Sequence, residues 1–292
     1  MTVASRVDDP PVERGQAPSG SRRRSLRSML ASGALWVFAG FALLYLFAPI
    51  FVIVLFSFND PAGNFNIVWQ EFTLDNWAHP FAERELTDAL WVSIKVAIVS
   101  TLIATVLGSL IAIALSRYRF LGIGVIGLFL ILPLTAPEIV MGSSLATLFF
   151  DRGAVFGFWT VVIAHVMFQV AFVALTVRAR IRGFDWTLEQ AAMDLGASPL
   201  RTFWKITFPL ILPGILAGAL LAFALSIDDF IITFFNAGSL VTFPLQIFGA
   251  SRVKIPPQIH VLATLILLVS VALLATGAFI GARRERRISG GA

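Results

Sequence analysis

The chain has 292 residues, of which 58% are hydrophobic and only 13% are charged, and its mean hydropathy is +0.86. Soluble domains average about 45–50% apolar and about 25% charged residues, so this composition excludes an ordinary soluble enzyme and a disordered chain. The sequence contains no cysteine, which excludes disulfides, iron–sulfur clusters and cysteine zinc sites.

Six stretches are long and apolar enough to cross a bilayer as helices, which takes about 20 apolar residues. The runs cover residues 28–59, 96–116, 120–150, 153–177, 206–227 and 260–282, and the fifth is expected to continue to about residue 235. The third run is expected to kink at Pro133 and Pro137. The sequence therefore predicts an all-α integral membrane protein with six transmembrane helices.

Lys and Arg residues are distributed unequally between the polar segments that separate these runs. Segments on one side carry 17 of them, and segments on the other side carry four. Because positive residues stay inside, both termini are expected in the cytoplasm of a multi-pass cell-membrane protein. The predicted organisation is a disordered basic leader, 1–27, a membrane domain, 28–282, and a basic tail, 283–292. The isoelectric point of about 10.4 then reflects topology and not nucleic-acid binding.

The cytoplasmic segment 178–208 is too polar to cross the membrane and is patterned as a helix. Thr187 and Gln190 have the spacing of a capping box, and Gly196 is placed to end the helix in a left-handed conformation. One apolar face recurs at helical spacing and consists of Leu188, Ala191, Ala192 and Leu195.

A second short helix is predicted to follow directly. Ser198 is a good N-cap and Pro199 a good first residue, and Pro209 is expected to end the helix near Thr207. The pattern alone leaves two interpretations open. The pair of helices either docks on a protein partner or lies on the lipid headgroups, which Trp186 and Trp204 would permit.

This segment resembles the EAA motif of the membrane permeases of ATP-binding-cassette importers. The matching residues are Gln190, Ala191, Ala192, Met193, Asp194, Leu195, Gly196 and Ala197, followed by Phe203, Ile206, Pro209, Pro213 and Gly214. The motif glutamate falls at Gln190, with Glu189 just before it. The resemblance implies that the segment docks into a groove of a cytoplasmic ATPase. It assigns this coupling to Glu189, Gln190, Ala191, Ala192, Asp194, Gly196 and Ala197.

Three further stretches resemble the second, C-type permeases of spermidine/putrescine importers. They are residues 131–142, which include Pro137 and Glu138, residues 226–235, which include Asp228 and Asp229, and residues 73–77. The resemblance covers roughly residues 35–280. It implies the transmembrane fold of a type I importer, one half of a path formed with a second homologous permease. It also implies a substrate-binding protein outside the cell.

Three acidic residues are set in apolar runs: Glu138, Asp228 and Asp229. A charge at the bilayer centre costs about 2.5–3.5 kcal/mol even on gentle scales, so such residues normally face a wet cavity or the bundle interior. Their sign suits a small cationic solute, and we expect them to line its path. The alternative is structural, with an acid capping a broken helix, and one of the two adjacent aspartates is expected to point away.

His165 and Gln169 lie one turn apart in the fourth run, and hydrogen bonds between helices are favoured for them over a role in the path. The sequence contains no phosphate-binding G-x-x-x-x-G-K-[ST] motif and no nucleophile motif, so ATP is expected to bind a partner subunit. No cofactor or metal site is predicted.

The predicted function is the permease subunit of an ATP-driven, binding-protein-dependent importer of polyamines. A permease for another small solute and an ATP-independent secondary transporter remain as alternatives. A secondary transporter would explain the acids in the membrane but not the cytoplasmic helix pair.

Overall fold

A computed structural model describes residues 26–119 and 121–289, and most of these are helical. The helices are α1 (Leu26–Phe56), α2 (Asp75–Ala78), α3 (Arg84–Arg117), α4 (Ile123–Thr135), α5 (Glu138–Asp151), α6 (Phe158–Ile181), α7 (Thr187–Asp194), α8 (Pro199–Thr202), α9 (Phe208–Asp228), α10 (Ile231–Asn236), α11 (Phe243–Ala250) and α12 (Pro257–Ser289). A π-helical turn, Phe203–Thr207, joins α8 to α9, and two short antiparallel strands are β1 (Asn59–Asp60) and β2 (Glu71–Phe72).

The chain divides after Phe51 into two compact units. In the described residues, the first unit is α1 as far as Phe51, and the second holds the end of α1 and all other elements. The predicted leader lies outside the described residues except for its last two, which begin α1. Residues 283–289 of the predicted tail continue α12.

Four helical stretches have the length and composition to cross a membrane. They are Leu35–Phe56, Arg84–Arg117, Phe158–Ile181 and Pro199–Asp228, and the pair α4–α5 gives a fifth if it counts as one broken span. The predicted sixth run falls in α12, whose described apolar part is Pro257–Ala272. The helical class is confirmed, whereas the count of six and the cytoplasmic termini stay predictions.

The core of the second unit lies where α3, α6 and α9 pack together. Small residues on α3 allow the close approach of α6. The buried residues shared by the three helices are Ala104, Ala112, Val173, Val177, Ile181, Ile211 and Ala222. Gly108 lies where α3 and α6 approach closely, since a Cβ there would come within 2.7 Å of the Cβ of Val173. This is the close packing that small residues give to membrane helices.

Gly108→Ala is therefore expected to destabilise the protein, because the added methyl group forces α3 and α6 apart. Overpacking of this kind costs about 1–3 kcal/mol. Thermal unfolding of the purified variant in detergent, followed by tryptophan fluorescence, would measure the loss. Gly127→Ala in α4 is the matched control, since a Cβ there meets nothing within 4 Å. Equal unfolding temperatures for the two variants would contradict the packing account.

Two of the predicted runs are broken by bends. The third run splits at residues 136–137, and α4 and α5 meet at an angle of 109°. The predicted kink is confirmed in position, although Pro133 lies inside α4 and the break comes just before α5. The fifth run does not continue to residue 235 as one helix, because α9 ends at Asp228 and α10 begins at Ile231.

Asparagine side chains hold the segment that contains the two strands. Asn59 donates to the side-chain oxygen of Asn66 at 2.6 Å, and Asn76 donates to the backbone oxygen of Asn59 at 2.9 Å. All three side chains are buried. The resemblance at residues 73–77 thus includes a residue, Asn76, that fixes the loop before α3.

Candidate functional site

The first candidate site is a helical hairpin, which consists of α7, the turn at residues 195–198, and α8. Its first helix is capped by Asp185, whose carboxylate accepts hydrogen bonds from the backbone N–H of Thr187 at 3.0 Å and its hydroxyl at 2.8 Å. These two bonds lower the pKa of Asp185 below its ordinary value. The prediction of a capping box at Thr187 and Gln190 is wrong. Thr187 is the first residue of α7, and its N–H donates to Asp185.

The end of α7 forms the turn that the sequence predicts. Gly196 has a φ of +83°, its N–H donates to Met193 O at 2.9 Å, and the N–H of Ala197 donates to Ala192 O at 3.0 Å. This pair of bonds is the Schellman motif, which favours glycine because an L side chain is strained in the left-handed region. The position of Gly196 is thereby confirmed as the reversal point between the two helices.

The second arm of the hairpin continues into the long helix α9. Ser198 caps α8 by accepting the N–H of Arg201 at 3.4 Å, with Pro199 in the first turn, as predicted. Pro209 does not end the helix, because the π-helical turn before it shifts the hydrogen-bond register, and Phe208 N–H bonds back to Phe203 O. The hairpin is thus connected to Asp228 by helix alone, and a displacement of the hairpin reaches α9 directly.

One acidic residue anchors the hairpin to the rest of the protein. Glu189 is only 5% exposed, and its Oε2 lies 3.0 Å from Nη2 of Arg117, the last residue of α3. The hydroxyl of Thr207, in the π-helical turn, donates to the same carboxylate. The guanidinium of Arg117 also lies 5.8 Å from the ring centre of Trp186. Sequence reasoning assigned Glu189 to coupling but gave no sign of its partners, which are 72 and 18 positions away.

The apolar face predicted for α7 is largely exposed among the described residues. Leu188 and Ala191 are exposed, and Leu195 is 90% exposed at the tip of the hairpin. The motif residue Gln190 is exposed as well, and Ala192 is partly buried. Beside them is a cavity of about 360 Å³ lined by Arg117, Trp186, Glu189, Gln190 and Met193 with Ser116. An exposed apolar surface with a buried anchor behind it has the form of a docking surface.

The second candidate site is the break between α9 and α10. Asp229 occupies the break with a ψ of 117° and caps α10, since its carboxylate accepts the N–H of Thr233 at 2.8 Å and its hydroxyl at 2.7 Å. Nε2 of His165 lies 3.1 Å from the same carboxylate. The Asp229 side chain is only 7% exposed, and its burial together with these bonds is typical of a structural cap.

His165 joins three helices at this level. Its Nδ1 lies 2.8 Å from the hydroxyl of Ser226 on α9, and its Nε2 lies 2.9 Å from the hydroxyl of Thr233 on α10. Ser226 is in turn 3.2 Å from the hydroxyl of Ser100 on α3. The predicted hydrogen bonds between helices are confirmed for His165. Serine and threonine carry no charge signal, which explains why sequence reasoning missed them.

Asp228 points elsewhere, as expected for one of two adjacent residues. It is exposed and lines a cavity of about 1060 Å³, called here the Asp228 cavity. Among the described lining residues it is the one charged side chain, and the walls include Phe81, Phe223, Phe230, Phe243 and Phe248. Leu90 and Ile94 bring α3 to the same cavity. A single carboxylate among aromatic faces is a site suited to a cation.

Glu138 is the first residue of α5 and is exposed. The helix that it begins packs against α10: Asn236 donates to Gly142 O at 3.1 Å, and a Cβ on Gly142 would lie 3.0 Å from the ring of Phe235. The structure therefore brings together the helices that follow the two breaks. It does not place Glu138 among the residues that line the Asp228 cavity.

The comparisons with known proteins identify the family. The family described as binding-protein-dependent transport system inner membrane component matches residues 104–289. The chain belongs to this family. It is 37% identical over 248 residues to the spermidine/putrescine transport system permease protein PotC of Shigella flexneri, which covers 85% of this chain and 93% of the relative. It is 36% identical to the putrescine transport system permease protein PotI of Escherichia coli K12, over 76% of this chain and 82% of the relative.

Solved structures share the fold. A bacterial ABC transporter for the acidic polysaccharide alginate matches with a TM-score of 0.59 and 18% identity, over 89% of this chain and 99% of that chain. An amino acid ABC transporter matches with a TM-score of 0.55 and 17% identity, over 73% and 100% of the two chains. These structures show the fold, whereas family membership makes the chain a multi-pass inner-membrane component of a transport system and not an enzyme.

Proposed function

We propose that this chain is the permease subunit of an ATP-driven polyamine importer. It forms one half of the translocation path with a second homologous permease. An extracytoplasmic binding protein delivers the solute, and a dimer of cytoplasmic ATPase subunits supplies the energy. The observation that carries this proposal is the hairpin, whose apolar face is exposed while its base is anchored by Glu189 and continuous with α9.

The hairpin supports coupling to an ATPase for a physical reason. A side chain such as Leu195, 90% exposed at a turn, has no packing partner among the described residues, whereas a groove on a partner would remove its apolar surface from water. Movement of that groove displaces α8 and α9 together because no flexible loop separates them. As α9 moves, the break after Asp228 becomes accessible from one side of the membrane or from the other.

The Asp228 cavity supports a cationic solute. An amine that leaves water needs fixed acceptors, and Asp228 offers a carboxylate among the phenylalanine rings of the cavity wall. Relatives that cover most of this chain are named for spermidine and putrescine, which are linear polyamines. Asp229 and Glu138 lie at the two helix breaks beside the path, where Asp229 caps α10 and Glu138 is the first residue of α5.

The proposed topology has six transmembrane helices, both termini in the cytoplasm, and the hairpin on the cytoplasmic side. The segment 178–208 is its coupling segment, and residues 1–27 and 283–292 are cytoplasmic extensions. Membrane lipid surrounds the apolar outer surface of the helices. A label placed at Gly196 that reacted only from outside the cell would contradict this arrangement.

Uptake measurements on the assembled transporter test the function. The chain is reconstituted in liposomes with its co-expressed ATPase, second permease and binding protein, and labelled spermidine, putrescine and a neutral sugar are offered with and without internal ATP. We expect saturable, ATP-dependent uptake of the two amines and none of the sugar. ATP-dependent uptake of the sugar alone would indicate a permease for another solute. Uptake at the same rate with and without internal ATP would indicate a secondary transporter.

A further inference from the structure

We propose that Arg117 and Glu189 form an internal latch through which the hairpin moves α3 together with α9. This inference rests on the proposed function, since it concerns how motion of the hairpin reaches the solute path. Arg117 and Glu189 are positioning residues in this mechanism. Their proposed role is carried by the contact that they make with each other.

The contact has the features of a specific attachment. Two oxygen–nitrogen pairs join the side chains, Oε2 to Nη2 at 3.0 Å and Oε1 to Nη1 at 3.5 Å. Glu189 is 5% exposed, so its carboxylate is shielded from water, whereas Arg117 is 35% exposed and its guanidinium is partly open. A buried carboxylate is costly unless it is paired and hydrogen-bonded, and the hydroxyl of Thr207 supplies the further bond. The hairpin is therefore held at this point in one geometry.

The position of Arg117 gives the latch its mechanical meaning. It is the last residue of α3, and Leu90 and Ile94 near the other end of the same helix line the Asp228 cavity. The 23 residue steps from Ile94 to Arg117 span about 35 Å of helix. The second connection runs through α9, which ends at Asp228 in the same cavity. The latch connects the hairpin to α3, and the continuous helix connects it to α9. Two walls of the cavity are thus attached to one hairpin.

The latch also separates the roles of the two neighbouring residues at the start of the motif. The charge of Glu189 is paired with Arg117 within the chain, whereas Gln190 is exposed on the docking side. A carboxylate that is engaged with Arg117 and Thr207 is not free to pair with a partner protein. Docking of the hairpin consequently relies on its apolar face, on the uncharged amide of Gln190 and on the exposed Asp194.

Charge reversal tests the latch. Arg117→Glu and Glu189→Arg are made singly and together, and the reconstituted transporter is assayed for molecules of spermidine imported per ATP hydrolysed. Each single variant is expected to lower this ratio about tenfold or more, because it sets two like charges together with one of them at the buried position 189. The double variant restores the opposite charges and is expected to recover at least half of the ratio. Arg119→Glu, an exposed arginine two residues further on, is the matched control and is expected to leave the ratio unchanged.

The ratio separates a latch from a merely structural contact. A variant that only loses folded protein lowers uptake and hydrolysis in proportion, so its ratio stays at the wild-type value. If a single variant fails to assemble, the neutral pair Arg117→Gln and Glu189→Gln replaces it in the same assay. A wild-type ratio in the single variants, or no recovery in the double variant, would overturn the proposal.

A second measurement does not depend on transport. Trypsin cleavage of the assembled complex at Arg201 in the hairpin reports local opening, and Glu189→Gln is expected to speed it about tenfold, with the Arg119 variant unchanged. If the wild-type complex imports no polyamine, the proposed function fails, and this cleavage rate alone decides the latch. Equal cleavage rates in wild type and Glu189→Gln would overturn it.

Discussion

Leu195→Glu is expected to detach the permease from its ATPase and to abolish ATP-driven uptake. Leu195 is 90% exposed at the tip of the hairpin, so a charge there costs the isolated chain nothing in packing. In a docked complex, however, the same carboxylate is buried in an apolar groove without a partner. Loss of a central apolar contact costs about 2 kcal/mol or more, which is about 30-fold in affinity. Co-purification of the ATPase with the tagged permease measures the loss.

Val155→Glu is the matched control for this variant. Val155 is 91% exposed, and it lies just before α6, whereas the hairpin follows that helix. Because 24 helical residues rise about 36 Å, the two positions lie at opposite ends of α6. Val155→Glu is expected to retain the ATPase in full. The docking role of the hairpin would be refuted if Leu195→Glu co-purified with as much ATPase per permease as the wild type does.

Asp228→Asn is expected to raise the KM for spermidine uptake about tenfold or more while the stability of the protein stays unchanged. The amide keeps the shape of the side chain but removes the charge that Asp228 contributes to the cavity. A hydrogen bond to a charged group is worth about 1.5–3 kcal/mol, which converts to about 10- to 150-fold in affinity. Initial rates of uptake over a range of spermidine concentrations give the KM, and thermal unfolding gives the stability.

Asp229→Asn gives the contrasting result. This carboxylate caps α10 and lies against His165, so its loss is expected to lower the free energy of unfolding by about 1–3 kcal/mol. Any fall in uptake should then follow the amount of folded protein, with the KM near the wild-type value. The proposed division of roles between the two aspartates is refuted if Asp228→Asn leaves the KM unchanged.

Local chain chemistry accounts for what the sequence predicts correctly in the hairpin. The turn at Gly196 follows from the left-handed conformation that glycine tolerates, and the start of α8 follows from Ser198 and Pro199. Each of these features involves residues within about four positions of each other, so no tertiary contact is needed to specify them. The cap of α7 differs from the predicted one because Asp185 accepts both the N–H and the hydroxyl of Thr187, while the N–H of Gln190 donates to the backbone oxygen of Trp186.

Long-range contacts account for what the sequence leaves open. Glu189 has the same local signature as an exposed acid, and its burial depends on Arg117, which lies 72 positions earlier. Asp228 and Asp229 are equivalent in the sequence, and the break in the helix sends one to the cavity and the other to His165. The proline pattern predicts the position of the bend before α5 but not its angle of 109°. In the structure, α5 packs against α10 after this bend.

The sequence by itself determined the helical membrane character of this protein, its family, and the hairpin with its reversal at Gly196. Hydropathy, capping chemistry and motif spacing are properties of neighbouring residues, and they act before the helices meet. Only the tertiary structure decided which acid is an anchor, which is a cap and which faces an open cavity. Those roles depend on burial and on partners from distant helices, because the free energy of a charge is set by what surrounds it in space.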